Sequence, residues 1–285
     1  DKHHEEAEKK GIKIIPSCGY DSIPSDMGCF YLQRSLGENL LSVDGYHRGG
    51  GGVSGGTIES AFTMKNYKTN YSIGHPFLLN SKDFIEKQNK EASKDTFKIK
   101  YIDSIKSWSA PFVMSIANTR VVRRSVELHE LNQSGYGSEF TYKEFMNVKK
   151  YSSALMVSIG LAILGLMIVS PISSLFRKLF TKPGNGPDKK TRDNGWFESI
   201  FIGKNTNNEF YKLRIYGDGD PGYKTTAKFI CESALCLVKS DGYLENTNKG
   251  GVLTTATGLG DHLIKRLKNA EILFEGPEKI AKTII

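Results

Sequence analysis

Ile12-Lys13-Ile14-Ile15-Pro16-Ser17-Cys18-Gly19-Tyr20-Asp21-Ser22-Ile23-Pro24-Ser25-Asp26-Met27-Gly28 is the stretch on which the fold turns. Its first half is a short β-branched apolar run, the pattern of a buried strand. Its second half is a polar turn with two prolines and a glycine. From Asp26 to Leu36 the apolar residues Met27, Phe30, Tyr31 and Leu36 recur at helical spacing. Ser25 or Asp26 can cap that helix, because their side-chain oxygens accept from free amide N–H groups. The reading is strand, tight loop, helix. In an open α/β sheet, ligands sit just past the carboxyl ends of strands, where this loop would lie. A purely structural connection between strand and helix is the alternative.

The residues from Ser17 to Gly28 resemble the S-C-G-[FY]-D-S-I-P-[AS]-D-x-G signature of saccharopine dehydrogenase-like oxidoreductases, relatives of saccharopine reductases and of bacterial trans-acting enoyl reductases. The glycine run from Gly49 to Thr57, Ser109-Ala110-Pro111-Phe112 with Val121-Val122-Arg123-Arg124, and Gly250-Gly251-Val252-Leu253-Thr254 also look similar, so the resemblance covers nearly the whole chain.

Composition sets wide bounds. A chain of 285 residues suits one large domain or two small ones, with a substantial core. The net charge of +8 admits nucleic acid, an anionic membrane or a phosphate-bearing ligand as partner. The lysines are interleaved with acids and form no nucleic-acid-binding motif, so nucleic acid is set aside. The four cysteines, Cys18, Cys29, Cys231 and Cys236, have no zinc-type spacing, and no metal is expected. Free thiols in a reducing compartment follow. Cys18 reads as a small apolar side chain rather than a nucleophile.

The chain opens on a charged helix-forming run, 1–10, stopped at Gly11. A helix followed by a buried strand is the tail of a doubly wound unit, so an amino-terminal piece is expected to be missing. The resemblance implies that this piece is a Rossmann domain holding NAD or NADP. After a strand at 40–47, the glycines Gly50, Gly52 and Gly55 formally satisfy G-x-G-x-x-G. The dinucleotide reading is declined: the run has too many glycines, and no apolar strand ending in an acid follows about 20 residues later. Such a loop can still approach a ligand with its backbone. The alternative is a bulged strand end.

Further along, 97–105 alternates as a strand, 109–113 is a turn or strand edge at Pro111, and 118–130 is a helix. Arg120, Arg123 and Arg124 on that helix read as a solvated face pairing with Glu127 and Glu130, or as a phosphate anchor. Strands are read at 196–202 and 209–216, a turn at 217–223, an amphipathic helix at 225–239 facing inward through Ala227, Ile230, Ala234, Leu237 and Val238, and a last helix at 261–269 with Leu263, Ile264 and Leu267 inward.

Residues 151–176 carry no charge until the basic flanks Lys149, Lys150, Arg177, Lys178 and Lys182. That is long enough for a hydrocarbon layer of about 30 Å. Gly160 and Gly165 are ordinary in a membrane helix. A spanning helix would show unequal basic flanks, and a buried core helix of this length is unusual. A hairpin kinked near Pro171, dipping into one leaflet with both flanks on anionic headgroups, is the preferred reading. The resemblance points the same way, since animal members of that family carry an apolar segment here and associate with lipid droplets and membranes.

The expected fold is therefore α/β: the end of a Rossmann-type doubly wound unit (1–36), a substrate or dimerisation domain with a mixed or antiparallel sheet and the apolar segment (37–224), and carboxyl-terminal helices packing back (225–285). The expected function is an NAD(P)-dependent oxidoreductase acting on a lipid or acyl-type small molecule at a lipid droplet or intracellular membrane, cytosolic face, with the mitochondrion as another location. The resemblance places Ser17, Cys18 and Gly19 at the cofactor, Asp21 and Ser22 in catalysis, and Ser54, Gly55, Gly56 and Thr57 at the substrate, and it leaves a homodimer open. A diacidic substrate such as saccharopine fits poorly, because the loops supply only Arg48. The competing hypothesis is an inactive membrane-associated protein that keeps the reductase fold.

Overall fold

The computed structural model describes residues 2–37, 40–52, 55–64, 74–131, 136, 139–177, 184–239, 244–245 and 247–281. Helix α1 (His4–Lys9) ends before Gly11, whose φ of +63° turns the chain into strand β1 (Lys13–Ile14). β1 pairs in parallel with β8 (Gly251–Val252), so these two-residue strands make a sheet of their own. The expected buried strand is not buried: Ile12 and Ile14 are 51% and 44% exposed. Parallel strands normally have both faces covered. About half of each of these two residues stays open to solvent.

Helix α2 (Ile23–Leu36) starts three residues before the position read from the sequence, with Pro24 in its first turn, where a missing N–H costs nothing. Ser22 occupies its N-cap position without a side-chain capping bond. Asp26 is not a cap of α2 at all. It is fully buried and accepts from Thr255 Oγ1 at 2.7 Å and the Ala256 N–H at 2.8 Å, with the Ser125 hydroxyl on its other oxygen. It therefore holds the start of helix α10 (Thr255–Asn269), 229 residues downstream in sequence. Burial raises the Asp26 pKa, and these hydrogen bonds oppose the rise. Gly28 is required by packing. A Cβ there would lie 2.5 Å from the Phe201 ring.

The main sheet has seven strands in the order β3-β4-β5-β2-β6-β7-β9: β3 (Lys100–Ile102), β4 (Ser107–Pro111), β5 (Thr141–Val148), β2 (Leu40–Gly50), β6 (Trp196–Asn205), β7 (Phe210–Asp218) and β9 (Leu273–Ile280). Only β2 and β5 are parallel; every other neighbouring pair is antiparallel. Pro111 sits at the end of β4, beyond the reach of β3, where a missing donor is harmless. Strand β9 was not visible in the sequence pattern.

One sheet face packs against α2 and helix α5 (Ser115–Leu131), with Val43, Tyr142, Phe201 and Leu213 in the core. The other carries a smaller cluster around Tyr46, Phe145 and Ile202. The short helices α3 (Gly55–Met64), α4 (Lys82–Lys87), α7 (Ser173–Arg177) and α8 (Lys189–Asp193) lie in the connections.

Helix α9 (Thr226–Lys239) packs on α10, but not through the expected face. Phe229, Ser233 and Cys236 are buried, while Ile230 and Val238 are exposed. Of the expected face, Leu237 alone packs against the core, and a π-helical turn, Pro221–Thr225, leads into the helix. The arginines of α5 are not a solvated face either. Arg120 is buried and binds Asp95 and the carbonyls of Gly74 and His75; Arg123 is buried against the carbonyls of Pro76, Ser93 and Tyr142. Only Arg124 makes the expected pair with Glu127. These guanidinium groups brace the segment before β3, so they are not free to anchor a phosphate.

Candidate functional site

Loop 15–22 leaves the carboxyl end of β1 and enters α2. It holds five of the residues singled out in the sequence: Ser17, Cys18, Gly19, Asp21 and Ser22. Ser17 turns the chain with a φ of +61°, an uncommon conformation for a residue with a Cβ. The Cys18 thiol donates to the Ile15 carbonyl at 3.2 Å, and burial raises its pKa, so it stays a thiol. Asp21 stands exposed as a residue, yet desolvation of its carboxyl by the surrounding surface raises its pKa.

Ser22 points the other way, into the protein. Its hydroxyl donates to Asn118 Oδ1 at 3.4 Å, and Asn118 Nδ2 donates to Glu144 Oε2 at 3.0 Å. The Tyr142 hydroxyl donates to Glu144 Oε1 at 2.6 Å, and His47 Nε2 lies 3.6 Å from the same oxygen. His47 Nδ1 is 2.9 Å from Ser199 Oγ, and Phe112 stacks on the imidazole at a centroid distance of 5.0 Å. Ser22, His47, Asn118, Glu144 and Ser199 are all buried. Burial pushes Glu144 up, but His47 and the hydrogen bonds outweigh it, and its pKa ends below the ordinary value. A chain of polar groups thus runs from the loop through α5, β5 and β2 to β6. His47 Nε2 has no hydrogen-bond partner within it.

The register explains how it is assembled. In the parallel pair, Gly45 faces Glu144 and His47 faces Met146, while His47 faces Ser199 across the antiparallel pair with β6. Facing residues share one side of a sheet. Asn118 reaches the same side from α5. Sequence inspection missed His47, Asn118, Glu144 and Ser199, which only strand pairing brings together. The one available signal was a histidine at the end of a strand next to a glycine run.

The glycine run itself continues β2 through Gly50. A Cβ on Gly50 would meet the Trp196 ring at 2.8 Å, and one on Gly51, whose φ is +150°, would meet Asp220 at 2.6 Å. These glycines admit β6 and the following turn rather than a ligand. Asp220 organises that turn, accepting from the N–H groups of Tyr223 and Lys224 at 3.0 Å each. The turn also supports loop 15–22, since the Tyr20 N–H donates to Thr226 Oγ1 at 3.0 Å. Gly55, Gly56 and Thr57 begin α3, which packs on α7; Ser54 lies outside the described residues. Arg48 is paired with Glu198, which Arg214 also binds at 2.6 Å.

At the far edge of this face lies α6 (Tyr151–Val169), a 19-residue helix of mean hydropathy 2.3 over its most apolar window. By length and composition it can cross a membrane. It packs on β4 along one stripe that includes fully buried Ala154, and only 6% of the apolar window is buried. Pro171 separates it from α7. Among the described residues no cluster of metal-ligating side chains occurs.

No family model matches the chain. Comparison with individual proteins is more informative. A Mycobacterium tuberculosis protein named as a candidate trans-acting enoyl reductase is 30% identical over 301 aligned residues, covering 95% of this chain and 69% of the relative. The trans-acting enoyl reductases of Mycobacterium bovis and Mycobacterium ulcerans are 26% and 27% identical, each over 303 aligned residues. A mixed α/β scaffold with a polar loop wired to a buried carboxylate and imidazole is in keeping with the oxidoreductase class. Within that class, the chain belongs to the trans-acting enoyl reductase family.

Proposed function

We propose that this chain is the substrate-side portion of a nicotinamide-dependent reductase for an acyl-type substrate, seated on a membrane or lipid-droplet surface through α6. The observation that carries the reading is the connection of Ser22, at the carboxyl end of a parallel strand, to the buried Asn118–Glu144–His47 chain. The family of the chain and its relatives' names support the acyl class. The saccharopine dehydrogenase-like signature supports the same chemistry class.

Ser17, Cys18 and Gly19 would line the nicotinamide end of the cofactor, NAD or NADP. When bound, that group supplies hydride. Asp21, exposed on the loop, would face the substrate, while Ser22, buried beneath it with its hydroxyl donated to Asn118 Oδ1, would hold the loop in place. Glu144 holds negative charge against His47. Gly49, Gly50 and Gly51 do not offer a phosphate cradle, because β6 and the Asp220 turn fill the space beside them. We therefore assign phosphate binding to a Rossmann-type region outside this chain. The exposed Ile12 and Ile14 on a parallel strand, and Ile230 and Val238 on α9, favour such a neighbour.

The test is substrate-dependent oxidation of NADH or NADPH by the protein expressed from its complete gene, with an enoyl thioester as substrate. Oxidation that falls steeply in Ser22→Ala supports the reading. Nucleotide binding without turnover on any enoyl substrate returns the inactive-scaffold alternative. Flotation with phosphatidylcholine vesicles, lost when the exposed Met156, Ile159 and Val169 become serine, tests the membrane half.

A further inference from the structure

Between α6 and the sheet lies a groove of about 430 Å³. Pro111, Val113 and Met146 form its sheet side, and Val157, Leu161 and Leu164 its helix side. Its lining contains no charged residue. The volume falls within the range of about 300–1,000 Å³ typical of small-molecule sites.

The position of the groove is more informative than its size. Met146 follows Glu144 by two residues on β5, so both point to the same face, about 7 Å apart. It is also the register partner of His47. Phe112, next to Pro111, stacks on the His47 ring. Met146 thus joins the groove to the strand positions of His47 and Glu144, which stand behind it rather than in its lining. Gly160 keeps the helix side open, since a Cβ there would find no atom within 4 Å.

We infer that this groove is the acyl-chain subsite: it takes a long saturated or unsaturated hydrocarbon tail, admitted along α6, and directs the functional end of the molecule toward the Ser22–Asn118–Glu144–His47 wall. The inference rests on the acyl-reductase reading and adds the place and selectivity of chain binding. A polar occupant would leave its groups unpaired against these side chains. An open apolar groove whose Met146 neighbours a buried polar chain suits a molecule with one polar end.

Photo-crosslinking separates this from simple coating of α6 by lipid. The chain is reconstituted in phosphatidylcholine vesicles containing a palmitic acid with a diazirine near its methyl end, irradiated, and mapped by mass spectrometry. Label on Val113 or Met146 is expected. Gly160→Phe fills the groove and displaces about two methylenes of the tail, so deep labelling falls about tenfold. Leu164→Phe serves as a second blocking variant should the first fold poorly, and Leu166→Phe, on the outward side, leaves deep labelling unchanged. Label confined to Met156, Ile159 and Leu166, or deep label indifferent to both blocking variants, overturns the assignment. Deep labelling by a protein that never oxidises a nicotinamide nucleotide keeps the groove and removes the reductase reading. Oxidation without deep labelling removes the groove alone.

Discussion

Replacing Asp26 separates a structural carboxylate from a catalytic one. Its oxygens receive the Thr255 hydroxyl at 2.7 Å, the Ala256 N–H at 2.8 Å and the Ser125 hydroxyl, all fully out of solvent. Hydrogen bonds to a charged group are worth about 1.5–3 kcal/mol each, and removing the acceptor strands buried donors. Two of these bonds fasten the first turn of α10, which itself packs against α2, α9 and α5. Asp26→Ala is therefore expected to cost about 3–5 kcal/mol. Asp26→Asn keeps an oxygen toward Thr255 and Ala256, and its amide can face a Ser125 hydroxyl that turns to the Val121 carbonyl, 3.2 Å away. That variant should lose only about 1 kcal/mol. The assay is urea unfolding in mild detergent, followed by the fluorescence of Trp108 and Trp196. An alanine variant as stable as the parent would refute the clamp. A folded asparagine variant without activity would add Asp26 to the catalytic candidates.

Asp44 gives the pH expectation. Burial lifts its carboxyl to about 6, against the pull of Lys143 and Lys100. A folded-state pKa above the unfolded value means that the stability contributed by Asp44 is fully present below the ordinary Asp pKa of about 4 and is lost as pH rises through about 6, by roughly 3 kcal/mol for this shift. Asp44→Asn should abolish that loss, and an unchanged pH dependence of the urea midpoint would count against it. Gly28→Ala drives a methyl into the Phe201 ring and should cost about 1–3 kcal/mol in the same titration. Arg120→Ala removes the guanidinium that donates to Asp95 and to the carbonyls of Gly74 and His75. It should expose the segment around residues 74–95 to limited proteolysis at protease levels that spare the parent. Glu144→Gln removes the charge facing His47 while keeping most of its volume, and should move the pH profile of turnover more than it moves stability.

What the sequence disclosed follows physical lines. Helix α6 and the β6–β7 hairpin were legible because their patterns are local, one by length and apolarity and the other by alternation around an Asn-rich turn. The inward residues of α10 were legible for the same reason. The helix at 261–269 was legible as such, since Gly260, at φ +51° and ψ −138°, breaks α10 there; the part before Gly260 was not, because Thr254 supplies the cap and the bond from Asp26 comes from the opposite end of the chain. The burial of β1 was misjudged since an apolar run reports propensity, not neighbours. The face of α9 was misread because Phe229 and Cys236 form a second apolar stripe beside Ile230 and Val238, and periodicity does not say which of the two meets the core. The arginines of α5 looked solvated by composition, yet backbone carbonyls from a distant segment enclose them. Loop 17–22 was legible as a candidate site from its motif. The buried chain behind Ser22 was not, because His47, Asn118, Glu144 and Ser199 come from four separate elements.

The central claim is that the wall behind Ser22 serves reduction of an acyl chain. Its most direct measurement is deuterium transfer from 4-deuterated NADPH or NADH to an enoyl thioester, read by mass spectrometry with the protein from its complete gene. A single deuterium on the β-carbon, diminished in Ser22→Ala and Glu144→Gln, is the expected result. Label-free product, or no product while the protein still binds nucleotide, would contradict the account.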